Sequence, residues 1–330
     1  MKSGFVSIIG RPNAGKSTLI NALVGEKVAI VTAKPQTTRT RIHGILEIPA
    51  VRGKHPAAQI VFVDTPGVHK PGSSLDKRMM QEVYDALETR DVVLLIVDAT
   101  RRLDLPEPGA PATRRESEDA FVFELLRKLD CPIFLLINKI DLIERSKLLP
   151  LIQRLSALHE FAEVIPISAR KRDGLDILLT KLIDVLPKGE RYFPKDQFTD
   201  QPERFLVAEL IRERILVETG EEVPYASAVL VERFEEPESD ARKPVTHISA
   251  VIYCERAGQK AILIGKAGAK LKAIGTGARK EIESLLGTKV FLELHVIMKE
   301  NWRESRGFVE SLDWRHQLEG LSTRENKKED

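Results

Sequence analysis

The sequence predicts two folded modules in series: an α/β domain on a mostly parallel sheet flanked by helices, then a smaller α+β domain. Three observations carry this. The chain has 330 residues, more than one hydrophobic core usually supports. Up to about residue 185, short apolar runs alternate with amphipathic stretches, the pattern of buried parallel strands connected by helices. Beyond a junction rich in Pro, Gly and charge, the order of patterns becomes helix, strand, strand, helix, helix, strand.

In the first module, FVSII, QIVFVD, DVVLLIVDA, CPIFLLINK and EVIPIS read as strands. Their short apolar runs suit burial on both faces, and several of the stretches between them repeat at helical spacing. The polar stretches 49–59 and 101–119 carry the Pro, Gly and charge content of exposed loops. These patterns place one domain over 1–187 and a linker over 188–202, the latter with two aromatics expected at the surface. The second domain, 203–315, begins with the helical ERFLVAELIRERILVE, and the strands PYASAVLVERFEE and HISAVIYCER follow. GQKAILIGKAGAKLKAIGTGARKEIESLLG then gives two helices broken at glycines, and TKVFLELHVIMKE closes the domain as a strand. A polar tail, 316–330, has the composition of a disordered end.

Composition narrows the function classes. Lys plus Arg number 51 against 49 Asp plus Glu, a net charge of +2, so affinity for a polyanion has to come from local clustering. The two cysteines, Cys131 in a predicted strand and Cys254, lie far apart in sequence, which argues against a disulfide or a metal cluster and for a reducing, cytoplasmic compartment. The apolar run before residue 10 spans about five residues, too short for a signal segment or a membrane span.

Gly10-Arg11-Pro12-Asn13-Ala14-Gly15-Lys16-Ser17 matches G-x-x-x-x-G-K-[ST], directly after one apolar run and opening the helix of Ser17, Thr18 and beyond. In this P-loop the glycines let backbone N–H groups turn toward phosphate oxygens. Lys16 reaches the β and γ phosphates, and the Ser17 hydroxyl ligates Mg²⁺. Asp64-Thr65-Pro66-Gly67 follows QIVFV, which places a carboxylate where it holds Mg²⁺ and a glycine N–H where it meets the γ-phosphate. Asn138-Lys139-Ile140-Asp141 follows IFLLI, and the Asp141 carboxylate can accept from N1–H and the 2-amino group of guanine, a pairing adenine lacks. Ser168-Ala169-Arg170, after EVIPI, would close over the base. Four such motifs in this order, each at a strand end, resemble the small GTP-binding proteins. By that resemblance Gln36-Thr37-Thr38-Arg39 is the first switch, with Thr38 preferred to Thr37 for the Mg²⁺ shell, and the catalytic set is Lys16, Thr38, Asp64 and Gly67.

The position after D-x-x-G, where a water-orienting glutamine stands in Ras-like enzymes, is Val68. Unassisted hydrolysis should therefore be slow. The resemblance to cation-dependent GTPases implies that Asn13 helps hold K⁺ against the phosphates; the alternative, that Asn13 only stabilises the loop, stands beside it.

The second glycine loop, Gly265-Lys266-Ala267-Gly268, lacks the P-loop spacing and sits between two predicted helices. It matches the GxxG loop that clamps the backbone of single-stranded RNA in KH domains, and the element order around it is that of the type II arrangement. Lys260, Lys266, Lys270, Lys272, Arg279 and Lys280 occur with no acidic residue between 260 and 280, a positive strip on a nearly neutral chain. The RNA-contacting set is read as Gly265, Lys266, Ala267, Gly268, Lys270, Lys272, Arg279 and Lys280.

A P-loop GTPase domain, a short junction with a YFP element, and a type II KH domain together closely resemble the Era family of bacterial GTPases over about residues 3–315. The resemblance implies GTP and GDP as ligands with Mg²⁺, and the 3′-end region of 16S ribosomal RNA and the 30S subunit, but not DNA, as partners. It also implies a role in small-subunit assembly, and a cytoplasmic location with loose association at the membrane face. The loop at 101–119 and the tail after 315 depart from the family pattern. The expected cycle has GTP ordering residues 34–42 and 67–80, altering the packing of the domains, and hydrolysis releasing the RNA. Two rival readings are a constitutive RNA-binding protein with a structural GTP site and a GTPase of the membrane surface.

Overall fold

In the computed structural model of the chain, all residues except 33, 35, 69–71, 105–116, 221, 238–243 and 318–330 are described. Much of the polar loop at 101–119 and most of the C-terminal tail therefore lie outside the described residues. The chain forms two compact units, one built mainly from residues 1–200 and one from residue 201 onward.

The first unit holds six strands: β1 (Lys2–Ile9), β2 (Ile42–Ile48), β3 (Ala58–Asp64), β4 (Val92–Asp98), β5 (Ile133–Asn138) and β6 (Glu163–Ile167). Its helices are α1 (Lys16–Val24), α2 (Ser74–Glu88), α3 (Glu118–Leu126), α4 (Arg145–Ser156) and α5 (Leu175–Val185). The sheet order is β2-β3-β1-β4-β5-β6, parallel except for β2, which runs antiparallel to β3. β3 and β5 are buried along their whole length, and the sheet separates two apolar clusters, one centred on Ile8, Ile20, Phe62 and Leu94 and one on Val83, Leu95, Leu126 and Leu135. Burial on both faces explains the unbroken apolar runs. The carboxyl ends of five parallel strands consequently share one edge, where ligands of open α/β sheets bind.

β2 has no counterpart among the predicted strands. Its sequence, IHGILEI, has four apolar residues but breaks them with His43, Gly44 and Glu47, so no continuous run announces it, and chain remote in sequence covers its outer edge. The junction supplies that cover and is not a free linker. Ile45 N–H donates to the Phe198 carbonyl at 2.9 Å, the Thr199 hydroxyl to the His43 carbonyl at 2.8 Å, and Asp200 meets His43 Nδ1 at 2.7 Å. Gln59, where the polar stretch 49–59 meets the predicted strand QIVFVD, is the second residue of β3 and is fully buried; its side-chain oxygen accepts from Tyr192 N–H and Phe193 N–H while its amide donates to the Phe193 carbonyl. Tyr192 is half exposed but leans on Phe5 at 4.7 Å between ring centroids. Cys131 stands two residues before β5, not within it, and both cysteines are free.

The second unit comprises α6 (Glu203–Glu218), the short α7 (Val223–Ala226), β7 (Ala228–Glu235), β8 (Val245–Cys254), α8 (Ala257–Ile264), α9 (Ala269–Leu286), β9 (Lys289–Met298) and α10 (Arg306–Ser311). β7 pairs antiparallel with β8, and β8 pairs parallel with β9 across the α8–α9 connection. Trp302 is fully buried and donates Nε1–H to the Ala226 carbonyl at 2.8 Å, a partner an indole needs when taken out of water.

Candidate nucleotide site and nucleic-acid groove

Gly10 leaves β1 at φ 155° and Gly15 enters α1 at φ 104°. A Cβ at Gly15 would lie 2.2 Å from Asn138 Nδ2, so no other residue fits without moving β5's last side chain. The loop ends as the N-terminus of α1, whose unsatisfied N–H groups favour an anion. Lys16 folds back over the loop, its Nζ 3.1 Å from the carbonyls of both Gly10 and Arg11. Burial pulls its ammonium down to about 8, against Asp64, which raises it. The same loss of water pushes the Asp64 carboxyl up, opposed by Lys16 and by hydrogen bonds from Ser17, Thr38 and the Thr65 backbone.

Asp64 ends β3 behind the cleft wall. Its Oδ2 accepts from Ser17 Oγ at 2.7 Å and from Thr38 Oγ1 at 3.2 Å, and the two hydroxyls are 2.9 Å apart. Its Oδ1 is buried without a hydrogen-bond partner. Two hydroxyls meeting one oxygen of a carboxylate whose other oxygen is orphaned form a hard-oxygen donor set fit for Mg²⁺, which proteins hold with one or two carboxylates and the substrate's phosphates. Thr37 points elsewhere, to Thr32 Oγ1 and the Lys34 carbonyl.

The far end of the cleft is organised by β5 and β6. Asn138 is buried; its amide donates to the Ala14 carbonyl at 2.8 Å and its oxygen accepts from Ala169 N–H at 3.0 Å. It therefore ties the P-loop to the Ser168-Ala169-Arg170 turn. Lys139, left-handed at φ 67°, donates to the Asn13 carbonyl at 2.8 Å and to Asp98 Oδ2 at 2.6 Å. Although burial raises the Asp98 carboxyl, the bonds from Lys139 and Thr100 hold it below its ordinary value. Asp141 Oδ1 accepts from Ser168 Oγ at 2.7 Å, which fixes the carboxylate at the mouth of the cleft.

The cleft has a volume of about 550 Å³, and Pro12, Asn13, Gly15 through Thr18, Thr38, Gly67, Asn138, Lys139, Asp141 and Ser168 through Arg170 all line it. Not every predicted residue does. The Arg11 side chain turns to α3; Thr65 spends its hydroxyl on the Ile8 carbonyl at 2.7 Å; Pro66 is buried behind Gly67. Gly10 and Ala14 contribute carbonyls to Lys16 and Asn138 instead of lining the cleft. Ile30, Val31, Thr32, Arg101 and Leu142 line it without having been foreseen, since they belong to no motif and reach the cleft only through the fold. Val68 is fully buried in the core and faces no water.

In the second unit the glycine loop joins α8 to α9 with three residues at positive φ: Gly265 at 71°, Ala267 at 49° and Gly268 at 78°. Beside it runs a groove of about 360 Å³ lined by Gly268, Leu271, Lys272, Gly275, Thr276, Arg279, Leu292 and Leu294. The α9 members follow helical spacing, so one face of α9 and the flank of β9 form an apolar floor with two cations on its rim. Gly275 faces β9 in ordinary contact, since a Cβ there would sit 3.4 Å from Leu294. Two expected contacts differ. Lys270 pairs with Glu218 of α6 at 3.6 Å, and Lys280, one residue round the helix from Arg279, is exposed off the groove. Lys266 and Ala267 are exposed at the loop's tip. Leu292 and Leu294 were not foreseen, because alternation in a strand identifies a face but not what it faces.

Comparison with known proteins agrees with both units. The model of the 50S ribosome-binding GTPase family matches residues 5–139, and that of the KH domain matches residues 222–303. The GTPase Era of Ruminiclostridium cellulolyticum is 42% identical over 314 residues, covering 95% of this chain and 98% of that protein. Two crystal structures match with a TM-score of 0.83 over 94% of this chain and 98% of theirs. One is an Aquifex aeolicus Era variant bound to GDP and AlF4⁻, 39% identical; the other is Era in complex with MgGDPNP and nucleotides 1506–1542 of 16S ribosomal RNA, 40% identical. With a P-loop site, a KH groove and this similarity across nearly its full length, the chain belongs to the Era family of GTPases.

Proposed function

We propose that this chain is a GTP-hydrolysing switch that binds the 3′-end region of 16S ribosomal RNA through its KH groove and acts in assembly of the 30S subunit. The observation that carries the reading is the convergence of Ser17, Thr38 and Asp64 at the mouth of the P-loop, in a chain similar over 94% of its length to an Era bound to MgGDPNP and that RNA.

In this reading Lys16 and the N–H groups opening α1 bind the β and γ phosphates, and Gly67 N–H binds the γ-phosphate. Mg²⁺, when bound by Ser17, Thr38 and Asp64, neutralises charge on the phosphate oxygens. Asp141, oriented by Ser168, accepts from guanine N1–H and the 2-amino group. Water attacks the γ-phosphorus in line and the bond to the β–γ bridging oxygen breaks, giving GDP and phosphate. Val68, at the position of the glutamine, is packed in the core and orients no water, so turnover of the free protein is slow and RNA or K⁺ near Asn13 accelerates it. Gly265 through Gly268, with Lys272 and Arg279, clamp the RNA backbone.

Among the described residues no helix is long and apolar enough to cross a membrane. The reading places the chain in the cytoplasm with its ribosomal RNA, and any membrane contact at the surface only.

Two measurements test it. GTP turnover should rise on adding RNA spanning the 16S 3′ end and should be faster in K⁺ than in Na⁺; equal rates remove the cation. RNA affinity should be higher with a non-hydrolysable GTP analogue than with GDP, and by reciprocity RNA should tighten analogue binding by the same factor. Equal affinities leave a constitutive RNA-binding protein. Separately, Thr38→Ala should raise the Mg²⁺ concentration needed for half-maximal turnover by at least about tenfold, the scale of losing one member of a metal's supporting set. Thr37→Ala, whose hydroxyl serves the loop, should leave it unchanged.

A further inference from the structure

We infer that Asp119 is a positioning residue for the nucleotide, acting on the P-loop through Arg11; the inference rests on the nucleotide reading above. Arg11, second in the P-loop, directs its guanidinium away from the cleft to the start of α3. Nη1 lies 3.0 Å from Asp119 Oδ2 and Nη2 lies 3.0 Å from Glu118 Oε2. Asp119 is 3% exposed. Its hydrogen bonds replace the water it has lost, and removing a partner from so buried a group costs more than breaking a surface pair. The same Oδ2 accepts from Asp104 N–H at 2.7 Å, and the Ser117 hydroxyl, which caps α3, donates to the Asp104 carbonyl. One buried carboxylate therefore anchors the P-loop, the first turn of α3 and the chain that follows β4.

The route from Asp119 to the nucleotide is short. The Arg11 carbonyl is one of the two that hold Lys16 Nζ, at 3.1 Å, and it also accepts from Ala14 N–H at 3.3 Å. A shift of Arg11 moves an oxygen that aims the phosphate-binding lysine. Behind the loop lies only a small void of about 30 Å³, lined by Arg11 and Asp119 among others, and Gly10 packs directly on Ile96, so the ion pair adds to packing on that side. Asp119 touches no substrate in this scheme; it sets how long the P-loop keeps its grip.

The test is the release rate of a fluorescent GDP from the full chain, followed by stopped flow. Asp119→Ala should release GDP about tenfold faster, a coupling of the size found between contacting residues, and Asp119→Asn, which keeps the shape and loses the charge, should change release in the same direction. Single-turnover cleavage at saturating GTP should change by a smaller factor than release does, because Asp119 reaches the phosphates only indirectly, through Arg11 and Lys16. Arg11→Ala should match Asp119→Ala, and the double variant should be no faster than either single one. Wild-type release from folded Asp119→Ala and Asp119→Asn, or additive effects in the double variant, would overturn the inference. Should Asp119→Ala fail to fold, Asp119→Asn carries the same cycle by the same criteria. A wild-type chain that binds no guanine nucleotide would instead overturn the nucleotide reading on which this rests.

Discussion

Asp141→Asn is expected to weaken GTP binding by at least about 10³-fold while creating affinity for xanthosine triphosphate, because a site built on hydrogen bonds rejects a mismatched partner by factors of this order. Guanine presents two donors in line, N1–H and the 2-amino group, and only a carboxylate accepts both at once. Ser168 Oγ already donates to Asp141 Oδ1 at 2.7 Å, which holds the carboxylate plane and lets both oxygens face the base. An amide in its place sets an N–H donor against the 2-amino group and leaves both unpaired in a partly buried cleft, a cost of about 1–3 kcal/mol for each unsatisfied group. Xanthine carries a carbonyl there, so the Asn amide donates to it while the remaining oxygen accepts from N1–H. The fold should survive, since Asp141 lies in a one-turn 3₁₀ segment (Ile140–Leu142) with no buried residue. Competition of GTP and xanthosine triphosphate against a fluorescent GDP decides the matter. Retention of GTP affinity within tenfold, with no gain for the xanthine nucleotide, would remove Asp141 as the base reader.

How much of this was legible in the sequence follows from where the constraints lie. Gly15 and Lys16, Asp64, Asn138 and Asp141 could be read because the phosphate and the base demand those residue types at fixed offsets from strand ends, and the apolar runs announce the strands. β2 could not: it is an edge strand whose Gly44 lies under α1, where a Cβ would come within 2.7 Å of Ile20, and whose outer edge is covered by residues near 198. Its burial is a property of the fold, not of its own pattern. Gln59 illustrates the same limit: the sequence puts it where a polar loop meets a strand, and only the fold brings Tyr192 and Phe193, over 130 positions away, to satisfy its amide and let it be fully buried. Arg11 and Lys270 look like free cations in the sequence. Their partners, Asp119 and Glu218, are brought to them only by packing. Charge counts along a chain say where cations are plentiful, and pairing decides which remain for a polyanion.

Gly268→Asp should reduce RNA affinity by about 100-fold and leave GTP turnover measured without RNA unaltered, since placing a like charge against a phosphate backbone costs several kcal/mol. Gly268 is the cleaner of the two loop glycines to change. It sits at φ 78°, ψ 6° with open space where a Cβ would go, and Asp is among the few L-residues that visit the left-handed region at small cost. Its carboxylate would enter the groove lined by Lys272 and Arg279, pairing with those cations and repelling the strand they should hold. Gly265→Asp confounds two effects. At φ 71°, ψ 178° its Cβ would lie 2.6 Å from Lys270 Cβ and 2.9 Å from Lys270 N, so α9's first turn would have to move and the loop itself would be lost. Lys272→Ala, by contrast, should weaken binding modestly and lower the slope of log affinity against log salt by about 0.7, the single-strand value for one phosphate contact. Titration of a labelled RNA spanning the 16S 3′ end, at several salt concentrations, distinguishes the three variants. If folded Gly268→Asp bound that RNA as the wild type does, the groove would not be the clamp; if its GTP affinity fell in step with RNA binding, the two sites would not divide the labour as argued.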